Sequence, residues 1–255
     1  MSRIRLTIAY DGSRWHGWQA GRTGTGVADR VQQALNAVFP GAGDLVSSSR
    51  TDSGVHALGL VAHADLPEGR RMMAADRIAA AINARLPADI RVMAAECVAP
   101  DFHARFGAVA KQYRYRIWNA PVMNPLLEKH AWHVPQPLDV GALRAAASVL
   151  LGTHDFRAFT SRRDGTPAST VRTILHLEVM AEKPDITLVI EADGFLYKMC
   201  RAIAGTMVRI GRGTTTLSEL EALLASPSGR TPGINAPAHG LTLWRVSYPD
   251  EMPAG

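Results

Sequence analysis

Within the first hundred residues the spacing of apolar side chains switches between two periods in a fixed order, and few folds satisfy that order. Ile4, Leu6, Ile8 and Tyr10 alternate with polar or small residues, the pattern of a strand with one buried face. Asp11-Gly12-Ser13 ends it. Val27, Val31, Ala34, Leu35 and Val38 then recur at helical spacing, up to a stop at Pro40-Gly41. Residues 45–48 and 60–64 read as short strands on either side of a loop. Ile78, Ala81, Ile82 and Leu86 mark a second helix closed by Pro87, and Ile90, Val92 and Ala94 alternate as a further strand. Strand, helix, two strands, helix, strand is the split βαβ unit.

A similar rhythm restarts near Phe106. Residues 109–118 alternate, with Lys111, Tyr113, Tyr115 and Ile117 on one face and Gln112, Arg114, Arg116 and Trp118 on the other. Val140, Leu143, Ala147 and Leu150 are in helical register. Val171, Thr173, Leu175, Leu177 and Val179 form a strand, and Ile186, Leu188 and Ile190 another across Lys183-Pro184-Asp185. Met199, Ile203, Met207 and Ile210 define a long helix ending at Gly211, and Ser218 with Glu221 is expected to box the start of a short helix. Residues 241–246 are the final strand, while 121–137 and 160–170 are loop-rich. The expected fold class is α/β in the α+β sense. It comprises two related split-βαβ halves, ferredoxin- or RRM-like, with mostly antiparallel sheets joined around a central basic cleft. The expected division is 1–105 and 106–255.

The 255 residues, 47% hydrophobic and 20% charged, suffice for a sizeable core. No apolar run approaches the ~20 residues that cross a bilayer, and the chain enters strand pattern at once without a signal-peptide core. Cys97 and Cys200 stand far apart, which suggests neither a disulfide framework nor a zinc knuckle. A cytoplasmic protein is expected. The net charge of +5, carried mostly by arginine, fits a polyanionic partner such as nucleic acid. An Arg-rich, Ala-rich composition also follows from genomic base composition.

Chemistry concentrates in Ser49-Arg50-Thr51-Asp52-Ser53-Gly54-Val55-His56-Ala57. A carboxylate at a strand end, two residues from a cation, can stay ionised and act as nucleophile or base. Asp-Ser-Gly is equally ordinary turn chemistry. Tyr113-Arg114-Tyr115-Arg116 interleaves rings and cations, as a nucleic-acid surface does, although alternation sends them to opposite faces. Arg201 lies near a helix start, against the macrodipole, and is either a surface arginine or one justified by a carboxylate or phosphate partner. In Asp101-Phe102-His103-Ala104-Arg105 the histidine is either catalytic or a structural hydrogen-bonding residue. Trp15-His16-Gly17-Trp18-Gln19 is either an aromatic RNA contact or packing at the sheet edge. Gly24-Thr25-Gly26 lacks the dinucleotide fingerprint, Gly211-Arg212-Gly213-Thr214 is not a P-loop, and no G-x-S-x-G elbow is present. His63 and Asp65 lack a third metal ligand of plausible spacing. Neither a cofactor nor a metal is expected.

Taken together, these segments resemble the tRNA pseudouridine synthase A family. The matching residues begin with Tyr10-Asp11-Gly12, Gly17-Trp18-Gln19 and the string from Arg50 to Ala57. Val61-Ala62-His63, Asn83, Leu86-Pro87 and the run from Asp101 to Phe106 follow. Lys111-Gln112-Tyr113-Arg114-Tyr115 and Leu151-Gly152-Thr153-His154-Asp155-Phe156 come next, then Gly194 to Arg201, Gly205 and Ala236 to Leu241. They keep family order over nearly the whole chain.

The resemblance implies an isomerase that converts uridine to pseudouridine in the anticodon stem-loop of tRNA, without cofactor or metal. By the same resemblance Asp52 is the catalytic carboxylate, and Arg201 pairs with it and keeps it ionised. Tyr113 stacks on the target uracil. Arg50 and Arg105 engage the RNA, and His56 helps hold the loop. Attack on the ribose, addition to uracil and removal of a ribose proton all remain open for Asp52. Family members are homodimers that cradle the tRNA jointly, so a homodimer is expected. The chain departs from the family pattern at Ser49, Leu60 and Ala64, and residues 22–28 approach the first helix less regularly. A non-catalytic RNA-binding paralogue and a synthase for another RNA are the alternatives.

Overall fold

Ile4, Leu6, Ile8 and Tyr10 are all buried. They form the inner face of β1 (Ser2–Tyr10) in a computed structural model that describes residues 2–19, 24–67, 73–160, 169–225 and 235–251. After β1 come α1 (Val27–Val38), β2 (Val46–Ser47), β3 (His56–Leu66), α2 (Ala75–Asn83) and β4 (Ile90–Val98). The sheet runs β4-β1-β3, with β2 on β3, and every one of these pairings is antiparallel. That is the strand order of a split βαβ unit. Helix α1 buries Val27, Val31, Ala34 and Leu35, and α2 buries Ile78 and Ile82. Each of these valine, leucine and isoleucine side chains contributes about 1.5–3 kcal/mol by leaving water.

Three details of this half depart from the pattern. Helix α2 stops at Asn83, short of Leu86, because the Asn83 side chain is engaged by β4. Its Nδ2 donates to Val92 O and its Oδ1 accepts from Val92 N, both at 2.8 Å. In β4 the buried set is Ile90, Val92 and Ala95 rather than Ala94. The pairing with β1 slips between Thr7 and Ile8, leaving Met93 as the extra, outward residue of a bulge. Strand β3 starts four residues earlier than its apolar run, because it is buried on both faces and so shows no alternation at its start.

The second unit contains β5 (Ala110–Trp118), β6 (Trp132–His133), α3 (Val140–Leu150), β7 (Gly152–Asp155) and β8 (Val171–Glu182). It continues with β9 (Asp185–Ala192), α4 (Met199–Gly211) and α5 (Leu217–Ala225). The order β5-β9-β8-β7 is antiparallel throughout, with β6 added parallel to β5. Like the first unit this one is a mixed α/β unit with antiparallel long strands, but they lie in the order first, third, second, whereas those of the first unit lie in the order third, first, second. Tyr113, Tyr115 and Ile117 form the buried face of β5, and α3 packs against β8 and α4. On the opposite face of β5, Gln112 is buried too and donates to Glu191 Oε2 at 2.7 Å, while Arg116 pairs with Asp185.

Two further expectations shift by a residue or two. In β8 Ile174 is buried while Val171 and Leu175 are about half exposed, because a bulge between Ile174 and His176 resets the alternation. The capping box of α5 is Thr216 with Glu219, not Ser218 with Glu221. Thr216 N donates to Glu219 Oε2 at 2.7 Å and Glu219 N to Thr216 Oγ1 at 3.2 Å. Both pairs fit the S/T-x-x-E spacing, and the earlier one starts the helix where Leu220 falls on its buried side. The short strand β6 lies inside residues 121–137, read as loop. Of the loop at 160–170, residues 161–168 lie outside the described residues, as do 22 and 23 of the approach to α1.

The last strand, β10 (Leu241–Ser247), lies beside β3 in the first unit. Contacts divide the chain into Met1–Val109 with Leu243–Gly255, and Ala110–Thr242. The division expected at 105/106 thus has as its counterpart a changeover at 109/110 and a C-terminal segment that returns.

Candidate active site

The loop between β2 and β3 carries Arg50 and Asp52 and ends at His56, the first residue of β3, and it is pinned through its backbone. At its start Ser48 N donates to Val61 O at 2.8 Å. Thr51 is held from two sides: its carbonyl accepts from Trp18 N at 3.1 Å, and its Oγ1 shares a hydrogen with the buried Tyr10 hydroxyl at 2.7 Å. Burial pushes the Tyr10 phenol above its ordinary range, so the hydroxyl keeps its proton. Val55 N closes back onto Asp52 O at 3.1 Å, with Gly54 at φ +80°. The Asp-Ser-Gly segment is therefore a turn, and the turn is what presents Asp52. Asp52 is half-buried between exposed Arg50 and exposed Ser53.

Two glycines outside the loop make this anchoring possible. A Cβ on Gly17, which has φ +86°, would lie 2.6 Å from Thr51 O; one on Gly12 would lie 2.0 Å from Val55 O. The string around Asp52 and the motifs Tyr10-Asp11-Gly12 and Gly17-Trp18-Gln19 are thus parts of one packed corner. Trp18 is fully buried and its ring lies near parallel to that of Tyr10 at 6.1 Å, so it packs as sheet-edge structure. His56 is buried, and its Nδ1 accepts from Gly12 N at 3.0 Å. An atom accepting that bond carries no proton, so the 3.2 Å approach of Asp11 Oδ1 to it is not an ion pair in this state.

Arg105 lies on a different loop, after β4. His103 is structural there: its Nδ1 accepts from the backbone N of Arg105 and of Phe106, both at 3.1 Å. His63, weighed as a metal ligand with Asp65, uses Nδ1 to accept from Ala104 N at 3.1 Å, while Asp65 is bound to Arg3 at 2.8 Å. Burial, with Arg3 and His103 nearby, pushes the His63 imidazole down to about 4. Both side chains are committed to protein partners.

Tyr113 and Arg201 belong to the second unit. Tyr113 is 7% exposed and meets the Phe195 ring edge-on at 5.0 Å. Arg201, in the first turn of α4, donates from Nε to Ala236 O at 2.7 Å, and its own carbonyl accepts from Ala236 N at 3.0 Å. A backbone carbonyl is thus one of the partners of this helix-start cation. The neighbouring Tyr115 hydroxyl donates to Pro237 O at 2.8 Å. Helix α4 and strand β5 are therefore both latched to the Ala236-Pro237 segment. Sequence patterning gave no sign of this latch, nor of the Tyr10–Thr51 bond, because each joins residues distant along the chain.

The profile of the family described as tRNA pseudouridine synthase matches residues 6–107 and 146–249. These segments include Asp52, Arg105 and Arg201. The protein named tRNA pseudouridine synthase A from Syntrophotalea carbinolica is 43% identical over 249 residues, covering 97% of each chain. The protein of that name from Shouchella clausii is 43% identical over 97% of this chain and 94% of its own. That from Akkermansia muciniphila is 43% identical over 98% and 97%.

Proposed function

Because the chain belongs to the tRNA pseudouridine synthase family, we propose that it isomerises uridine to pseudouridine in the anticodon stem-loop of tRNA, with Asp52 as the carboxylate that acts on the nucleotide. The reaction breaks the bond from uracil N1 to the ribose and forms one from C5 to the same carbon. C5 loses a proton and N1 gains one, so the balance needs no oxidant, reductant or energy source. What the protein must supply is a held carboxylate, a seat for a base taken out of the stack, and cations for the phosphates.

The observation that carries the assignment is the double anchoring of Thr51, the residue immediately before Asp52. A backbone fixed on both sides presents its carboxylate without reorganisation during the reaction. In this reading Tyr113 seats the uracil and assists proton loss at C5. Arg201 orients the carboxylate and keeps it ionised, Arg50 and Arg105 hold the RNA backbone, and His56 stiffens the loop. The catalyst is a cytoplasmic homodimer whose two copies cradle the tRNA jointly.

The test uses unmodified tRNA transcript and purified protein. Wild-type protein forms pseudouridine in the anticodon arm, while Asp52→Ala binds the transcript within about threefold of wild type and forms no product over several hours. Product from Asp52→Ala removes the carboxylate from the chemistry. Binding without product by wild type favours the paralogue, and product only in another RNA favours the other-substrate synthase.

A further inference from the structure

Phe39, Phe156 and Phe159 are buried, yet Phe106 is 78% exposed. A single exposed phenylalanine is commonplace on a protein surface. This one differs because the segment that bears it is fixed. His103 Nδ1 accepts from Phe106 N at 3.1 Å, and Gly107 N donates to His103 O at 2.9 Å. Beneath them Ala104 is held at both backbone atoms, its N by His63 Nδ1 at 3.1 Å and its O by the Tyr248 hydroxyl at 2.7 Å. The His103 ring lies 4.4 Å from the Phe106 ring at 35°, and the Arg105 guanidinium carbon is 5.6 Å from its centroid. Most of the residue stays open with both neighbours in place.

We propose that Phe106 is a stacking platform for an unpaired base of the tRNA substrate, with Arg105 beside it on the adjoining phosphate. The proposal rests on the functional reading above and adds a residue to it. A rigid aromatic offers its face at little cost in side-chain freedom, and every base has a π-face to receive it. Recognition of single-stranded RNA pairs such rings with cations in the same way, and the net charge of +5 suits a polyanion. A protein partner would use the ring as an apolar knob, for which leucine serves nearly as well. A base requires the ring.

The experiment measures affinity for unmodified tRNA transcript with Phe106→Ala, Phe106→Leu and Phe106→Trp, at several salt concentrations. Phe106→Ala weakens binding about tenfold, Phe106→Trp restores it to within about threefold, and Phe106→Leu does not. The salt slope of binding is unchanged in all three, whereas Arg105→Gln lowers it by about one. The unfolding midpoint stays at the wild-type value, since the side chain covers no core. Unchanged affinity in Phe106→Ala, or full rescue by leucine, overturns the proposal. So does a change in oligomeric mass in Phe106→Ala, which assigns the ring to a contact between copies. Product formation by wild type judges the functional reading separately from these affinity ratios.

Discussion

Replacing Tyr10 by phenylalanine removes one oxygen atom and tests whether the backbone before Asp52 is held there for chemistry. The ring keeps its place against Trp18, with centroids 6.1 Å apart, so the change is confined to the 2.7 Å bond with Thr51. Thr51 is buried, and leaving its hydroxyl without this partner costs about 1–3 kcal/mol. For a chain of this size that lowers the unfolding midpoint by roughly 2–4 °C per kcal/mol. A displacement near 1 Å at a reacting group costs up to ~100-fold in rate, so the single-turnover rate falls at least ~10-fold with tRNA affinity little changed. Thr51→Val in the same background makes both partners apolar, which is close to neutral for stability. The double variant therefore regains most of the midpoint yet stays slow. If the rate recovers together with the midpoint, or if Tyr10→Phe turns over at the wild-type rate, the bond supports folding alone and the positioning argument fails.

The other expectations concern the same unit. Gly17→Ala places a methyl group 2.6 Å from Thr51 O in a backbone region that disfavours alanine, and product formation drops below a tenth of wild type. Gly24→Ala has the same sign of φ with nothing within 4 Å among the described residues, so it retains activity, and equal losses in the two variants refute the contact explanation. His63 titrates at about 4 in the folded protein against about 6.5 unfolded. The unfolded chain binds more protons between those values, so this contribution is present above pH 6.5 and is lost as the pH falls towards 4. It amounts to at most about 3 kcal/mol. Denaturant melts at pH 7 and pH 4.5 show the loss, and His63→Gln reduces the difference between them; an undiminished difference assigns it to other groups.

The pattern of residue types predicts this architecture where one face of an element is buried and the other is wet. Strand β1 and helix α1 are such elements, and Ile4, Leu6, Val27 and Val31 are buried as their spacing demands. Prediction fails where the period is interrupted or absent. The bulges at Met93 and Leu175 each move one residue across the sheet, and β3, covered on both faces, shows no alternation to count. The Thr216–Glu219 box competes with an identical spacing two residues later, and only the burial of Leu220 separates them. At the site, the residue string shows where the carboxylate is. The reason it stays there resides in Tyr10, Gly12, Gly17 and Trp18, whose bonds and close contacts span some 30 to 45 residues of chain. Sequence alone displays those residues as scattered fragments, and packing makes them one corner.

The return of β10 to the first unit has a consequence for biosynthesis. When β3 leaves the ribosome, its neighbour β10 does not yet exist, and the whole of Ala110–Thr242 must be made first. At ~5–20 residues per second, those roughly 130 residues take between about 7 and 27 s. Throughout that interval the nascent first unit has an unfinished sheet margin, whose unpaired backbone groups are open to strands of other chains. The last stretch of translation therefore seals the part that was made first, and the second unit is synthesised as an insertion within it.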